Sequence, residues 1–320
     1  MTISVIGAGA FGTALAVALA NDGLAVKLYA RSADAVDAMN ISRVNPRLPD
    51  VTLPDGMSFT NSFEEAAKAD IILLSVPTQT LVGVLTANAE FLAKKSLVAC
   101  CKGIDIGTLS GPVTAINKAV PTATAAMLTG PSFAADIARG LPTALTLACA
   151  DAAHGEQLQK MLSTKTLRLY RTSDTIGAEL GGALKNVIAI SCGVAIGAGL
   201  GESARAAVMT RGFAEMQRLA AQLGAQSETL AGLSGFGDLT LTCTSQQSRN
   251  YRFGLALGKG ETFDPTQTVE GAATAKALSK LSTKMDVDLP ICAIVAELVN
   301  AETNVENALA DLMSRPLKKE

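Results

Sequence analysis

The stretch Ile3-Ser4-Val5-Ile6-Gly7-Ala8-Gly9-Ala10-Phe11-Gly12-Thr13-Ala14-Leu15-Ala16 decides the fold. Ile3 to Ile6 read as a β-branched strand and Thr13 to Asn21 as a helix, joined by a G-x-G-x-x-G at Gly7, Gly9 and Gly12. Gly7 permits the tight turn, Gly9 lets the backbone approach a pyrophosphate, and Gly12 lets the helix pack closely on the strand. The helix N-terminus then faces the phosphates. The strand-turn-helix setting makes dinucleotide binding the expected use of this turn, with a purely structural glycine turn as the alternative.

Working outward, Ala25 to Tyr29, Ile71 to Val76, Ser96 to Cys100 and Thr124 to Leu128 read as further strands separated by amphipathic segments. Pro142 to Ala150 and Thr166 to Tyr170 add two more that close the domain. Such alternation predicts an α/β fold, a Rossmann-type doubly wound parallel sheet covered by helices on both faces. Beyond Thr172 the periodicity is helical with Gly-rich breaks, over Thr175 to Ile196, Ser203 to Leu223, Thr229 to Leu233, Ser248 to Leu257, Thr274 to Leu281 and Pro290 to Leu298. The expected organisation is a dinucleotide-binding domain over 1–174 and an all-α substrate-binding and catalytic domain over 175–320. Ligand is expected at the carboxyl ends of the strands, between the two domains.

Composition narrows the chemistry. With 320 residues, 48% hydrophobic and 18% charged, the chain is long enough for two cores. A formal charge of −2 gives no drive toward polyanions, so nucleic acid is not an expected partner. His154 is the single His, so a multi-His metal site or a Ser-His-Asp triad has only that residue to rest on, and no metal is expected. In its polar stretch it reads as an exposed bystander. The six Cys, at 100, 101, 149, 192, 243 and 292, lack C-x-x-C spacing and read as buried thiols of a reducing compartment.

The uncharged start, Met1 to Asn21, lacks a preceding Lys or Arg and is interrupted by three glycines, which argues against a leader or membrane span. No later run reads as a clean span, so a cytoplasmic protein without stable membrane insertion is expected. The Ala- and Gly-rich helices of the second half offer a face for a homodimer.

Three places carry chemistry. In Leu180 to Leu200 the one charged residue is Lys185, followed by Asn186, which can orient a substrate hydroxyl. An ammonium on so apolar a helix either snorkels near the helix start or is held for acid/base work. Lys102 follows the fourth strand, where open α/β sheets bind ligands. The stretch GFGDLTLTCTSQQSRN carries Asp238, Thr242, Arg249 and Asn250. Of these the Arg and the Asn, beside backbone N–H groups at a helix start, can hold a phosphate, the alternative being a capped helix or polar surface loop. For the cofactor, the second strand runs into Arg31 with no acid before Asp34. A guanidinium there favours a 2′-phosphate, hence NADP(H) over NAD(H), unless Arg31 is an ordinary exposed cation.

In order and approximate spacing, GAGAFGTALA, SVPTQ, CKGI, LTGPSFA, ELGGALKNVIAI, GFGDLTLTCTSQQSRN and TVEGA resemble the bacterial NAD(P)-dependent glycerol-3-phosphate dehydrogenases over nearly the whole chain. The resemblance implies reversible reduction of dihydroxyacetone phosphate to sn-glycerol 3-phosphate, which supplies the glycerophospholipid backbone. It implies Lys185 as the acid/base, with Lys102, Asp238, Asn186 and Thr242 polarising and orienting the same region. Ser248, Arg249 and Asn250 would grip the small phosphorylated substrate, with Gly130 and Ser132 beside it. Gly7, Gly9, Ala10, Phe11, Gly12, Arg31, Pro77, Lys102, Ala134, Arg249 and Glu270 would meet NADP(H), with NAD(H) as the alternative. Phe11 and Tyr29 stand where that family often has Trp, and neither change touches a reacting group. A lysine-dependent β-hydroxyacid dehydrogenase shares this plan but tends to place an Asn four residues after the Lys, where Ala189 stands. A non-catalytic nucleotide sensor would have no use for Lys185, Lys102 and Asp238.

Overall fold

The computed structural model describes residues 2–316, which divide into two units: 2–102 with Gly111–Glu179, and Gly103–Ser110 with 180–316. Unit 1 holds ten strands, β1 (Ile3–Ile6), β2 (Val26–Tyr29), β3 (Val44–Asn45), β4 (Leu48–Thr52), β5 (Met57–Thr60), β6 (Ile71–Leu74), β7 (Ser96–Ala99), β8 (Thr124–Thr129), β9 (Thr143–Cys149) and β10 (Leu167–Thr172). Eight form one sheet in the order β10-β9-β8-β7-β6-β1-β2-β5, and β3 and β4 form a separate antiparallel hairpin. Neighbours from β5 across to β8 are parallel, with Val5 of β1 lying between Leu28 of β2 and Leu73 of β6.

The apolar runs are continuous because both faces are covered. Ile3, Val5, Ile71 and Leu73 enter one core, under α1 (Ala10–Asn21), α2 (Ala33–Ser42), α7 (Ala134–Ala138) and α8 (Ala152–Leu162). Their neighbours Ile6, Ile72 and Leu74 enter the other, under α3 (Phe63–Ala67), α4 (Thr78–Ala87), α5 (Ala89–Leu92) and α6 (Pro112–Ala119). The period-2 geometry of a strand thus divides one tetrapeptide between two cores.

One detail of the expected sheet is corrected. It is mixed rather than wholly parallel: β9 runs antiparallel to β8, and β10 follows β9 in parallel. The link from β8 to β9 stays at one end of the sheet and carries α7, so no crossover reverses the chain, whereas α8 supplies the crossover from β9 to β10. His154 is also corrected. It lies half-buried on α8, with Nε2 2.9 Å from Ser96 Oγ at the start of β7, because α8 packs against the sheet.

Unit 2 is helical: α9 (Thr175–Gly197, its first five residues counted with unit 1), α10 (Gly201–Gln222), α11 (Ser227–Ala231), a π-helical turn (Leu233–Gly237), α12 (Asp238–Thr244), α13 (Arg249–Lys259), α14 (Glu270–Met285), α15 (Pro290–Val299) and α16 (Val305–Ser314). Ala183, Leu184, Val187 and Ile188 of α9 are fully buried, and Ile104 from the 103–110 segment joins the same core. Among the described residues α9 alone is long and apolar enough to cross a membrane, and 83% of its most apolar window is buried inside the protein. The six Cys are all buried and are thiols rather than halves of disulfides.

Candidate active site

Lys185 points across unit 2 to the helix that starts at Asp238. Its Nζ donates to Asp238 Oδ1 at 2.7 Å and to Thr242 Oγ1 at 2.8 Å. Asp238 and Thr242 are one helical turn apart, so they share a face. The Thr242 hydroxyl donates in turn to the Asp238 carbonyl at 2.6 Å. The side chains of the ion pair are 8% and 1% exposed. A charge that far out of water persists only when paired and hydrogen-bonded, which excludes the snorkelling alternative. A π-helical turn leads directly into Asp238, and its tight path is possible because Gly181 and Gly235 lack side chains. A Cβ on Gly181 would lie 2.4 Å from the Ser234 carbonyl oxygen, and one on Gly235 2.0 Å from that of Leu230.

Asn186, the next residue along α9, is tied to a second chain of bonds. Asn250 Nδ2 donates to Asn186 Oδ1 at 2.9 Å, and Asn250 Oδ1 accepts from the Gly271 N–H at 2.9 Å. Gly271 sits so close that an added Cβ would be 2.6 Å from the Asn186 carbonyl. Glu270, just before it, opens α14 and is half-buried. Ser248 caps α13, accepting from the Tyr251 N–H at 3.2 Å, and Arg249 stands exposed at the first position of that helix. The arrangement presents a cation and helix N–H groups side by side, the chemistry of an anion site.

Sequence reading overlooked what holds α13 against α9. Gly193 and Gly197 on α9 and Gly254 and Gly258 on α13 are each four apart, and each faces the other helix's backbone. A Cβ at Gly254 would lie 2.0 Å from the Ile190 carbonyl, and one at Gly193 2.2 Å from that of Tyr251. The paired G-x-x-x-G spacing was the available signal. These glycines are occupied inside unit 2, so they do not provide the face expected for a homodimer. Behind the ion pair, burial first and then the neighbouring Cys192 push the Cys243 thiol well up, so it stays neutral.

In unit 1 a second group assembles. Lys102 Nζ donates to the Gly130 carbonyl at 2.9 Å and lies 6.0 Å from the centre of the Phe11 ring. Ser132 Oγ donates to the same carbonyl at 3.2 Å. Gly130 has φ +137°, a value side chains rarely adopt. Pro77 precedes α4 and Ala134 opens α7, at the carboxyl ends of β6 and β8 respectively. Arg31 is exposed just after β2, and Asp34 is exposed within α2.

The glycine turn fits a dinucleotide. Gly7 has φ +116°, and a Cβ there would lie 2.5 Å from the Ser75 carbonyl oxygen. A Cβ on Gly12 would lie 2.3 Å from the Gly7 oxygen, whereas beside Gly9 there is nothing within 4 Å. Ala10 opens α1, whose first turn carries no acidic residue to repel phosphate. Among the described residues no three His, Cys, Asp or Glu side chains gather as metal ligands.

Family models described as NAD-dependent glycerol-3-phosphate dehydrogenase N-terminus and C-terminus match residues 2–155 and 174–310. Proteins named glycerol-3-phosphate dehydrogenase, NAD(P)+, from Ruegeria sp. (strain TM1040) and Paracoccus denitrificans (strain Pd 1222) are each 57% identical, with both chains covered over 100%. The crystal structure of glycerol-3-phosphate dehydrogenase from Coxiella burnetii superposes with a TM-score of 0.93 at 35% identity, covering 98% of this chain and 99% of its own. A D-mandelate dehydrogenase complexed with NADH, at 18% identity and a TM-score of 0.65, shares the fold alone.

Proposed function

Because the chain belongs to the NAD-dependent glycerol-3-phosphate dehydrogenase family, we propose that Lys185 is its proton donor and acceptor, held for that task by Asp238 and Thr242. The chain is an NAD(P)-dependent oxidoreductase that reversibly reduces dihydroxyacetone phosphate to sn-glycerol 3-phosphate. The observation that supports the role of Lys185 most strongly is the buried contact of its Nζ with Asp238 at 2.7 Å.

The reduced nicotinamide, when bound, supplies the hydride. As the ketone carbon receives it, negative charge grows on the carbonyl oxygen. The Lys185 ammonium stabilises that charge and delivers one proton to the oxygen, giving the alcohol and a neutral amine that regains its proton from solvent. Asp238 and Thr242 fix the direction of Nζ throughout, and in the reverse direction the amine takes the hydroxyl proton. Lys102 adds positive charge near the Gly130 turn. The substrate phosphate is held by Arg249 and the capped start of α13, with Asn250 and Asn186 keeping that start in register.

The preference for NADP(H) over NAD(H) is supported by Arg31 at the end of β2. A homodimer acting in the cytoplasm completes the proposal. The six buried thiols suit a reducing compartment, and Leu200, Phe236, Leu309 and Met313 are exposed apolar residues of unit 2 that a second copy would cover. The test is to follow reduced-nicotinamide absorbance with dihydroxyacetone phosphate, using NADPH and NADH in turn. Lys185→Ala should lower kcat by about three orders of magnitude, within the range that acid/base and charge stabilisation together supply, with NADPH binding retained. Turnover near that of the unaltered enzyme would remove Lys185 from the reaction.

A further inference from the structure

We propose that Asn45, which lies outside the glycine turn and all the motifs above, is a positioning residue that sets the turn for the cofactor. Asn45 ends β3 in the small hairpin, opposite Leu48 of β4, and is 4% exposed. Its Nδ2 donates to the Ala8 carbonyl at 3.1 Å and to Thr13 Oγ1 at 2.7 Å, and its Oδ1 accepts from the Arg47 N–H at 3.0 Å. Both amide hydrogens are therefore committed, one to the turn and one to the helix that follows it. Leu48 anchors the hairpin in the core that also holds Leu15 and Leu19 of α1.

Ala8 lies between Gly7 and Gly9, in a glycine-rich stretch whose backbone has many conformations open to it. In a planar trans peptide the C=O and N–H point in opposite directions. Fixing the Ala8 carbonyl on Asn45 therefore also fixes the direction of the Gly9 N–H, on the far side of the same peptide plane. A Cβ at Gly9 itself would meet nothing within 4 Å, so there is room for a ligand to approach that backbone. Pyrophosphate recognition uses N–H groups of this kind. A turn already set in the free protein binds cofactor without first being ordered. No catalytic group of unit 2 is invoked, so the effect belongs to cofactor affinity.

The inference rests on the dinucleotide reading of Gly7 to Gly12. Calorimetric titration of the full chain with NADPH alone separates the two, since failure of the unaltered protein to bind NADPH would remove both. Given that binding, Asn45→Ala should weaken NADPH by about tenfold or more, the loss expected for one net hydrogen bond, while kcat at saturating NADPH and KM for dihydroxyacetone phosphate move by less than about threefold. Asn45→Asp keeps the acceptor for Arg47 but sets a carboxylate oxygen against the Ala8 carbonyl, so it should bind NADPH no better than Asn45→Ala. Recovery of affinity in Asn45→Asp would overturn the proposal, because the hairpin turn alone would then be what matters. Unchanged NADPH affinity in either folded variant would overturn it as well. If neither variant folds, Asn45 is a folding residue and the assignment fails.

Discussion

Glu179 offers the most direct test of the physical reasoning in unit 1, because its charge state depends on burial that the structure makes explicit. Its carboxylate accepts the N–H groups of Val113 and Thr114, the first free donors of α6 after Pro112, and Gly111 leaves room for it. Burial raises its pKa from 4.5 to about 7, and the two backbone bonds pull only partly the other way. The folded state thus holds this proton more tightly than the unfolded chain. Its stabilising contribution is complete below about pH 4.5 and is lost as pH rises through about 7. At 1.36 kcal/mol per unit the full loss is about 3 kcal/mol, before denatured-state effects reduce it. Glu179→Gln keeps an acceptor for Val113 and cannot ionise, so it removes this slope alone. Urea unfolding of both proteins at steps from pH 4.5 to 8 should show the variant gaining on the unaltered protein as pH rises, by about 2–3 kcal/mol at the top of the range. Parallel curves would refute the argument, as would a variant that loses ground with rising pH.

Arg249→Ala should raise KM for dihydroxyacetone phosphate by about tenfold to a hundredfold, the worth of a charge-assisted bond to phosphate, with a smaller effect on KM for NADPH; steady-state kinetics at saturating cofactor decide it. Arg31→Ala should lower the ratio of kcat/KM for NADPH to that for NADH by about tenfold, and an unchanged ratio would make Arg31 an ordinary surface cation. Gly254→Ala forces a Cβ to 2.0 Å from the Ile190 carbonyl, so α13 must move off α9. About 3 kcal/mol of stability should go, and KM for the substrate should rise with it because Arg249 and Asn250 ride on α13. Thermal unfolding followed by circular dichroism, together with initial rates, tests both parts.

What the residues disclosed on inspection, and what they kept hidden, follows from how far each feature reaches along the chain. The Gly7 to Gly12 turn was legible because strand, turn and helix are contiguous, so each glycine's task is local. Lys185 was legible as an anomaly, a lone charge within 21 otherwise uncharged residues from Leu180 to Leu200. Its partners were not, since periodicity places Asp238 and Thr242 on one helical face but says nothing of which helix that face meets across 53 residues. Only the family resemblance brought them near it. The direction of β9 was hidden for a similar reason: a seven-residue apolar strand buries the same side chains whichever way it runs, and only the path of its link to β8 decides. His154 looked exposed because its neighbours in sequence are polar, yet helical geometry turns it toward Ser96. Asn45 was the hardest to see. The hairpin over 44–52 is short and interrupted by Pro46 and Pro49, and an Asn before a Pro reads as turn chemistry that needs no distant partner. Its buried amide reaches 37 residues back, to the carbonyl that precedes Gly9. A turn made of glycines can take the shape the cofactor needs, but glycine does not select that shape. Selection requires a fixed donor from elsewhere in the fold, and of the side chains with described bonds to this turn Asn45 is the one that supplies it.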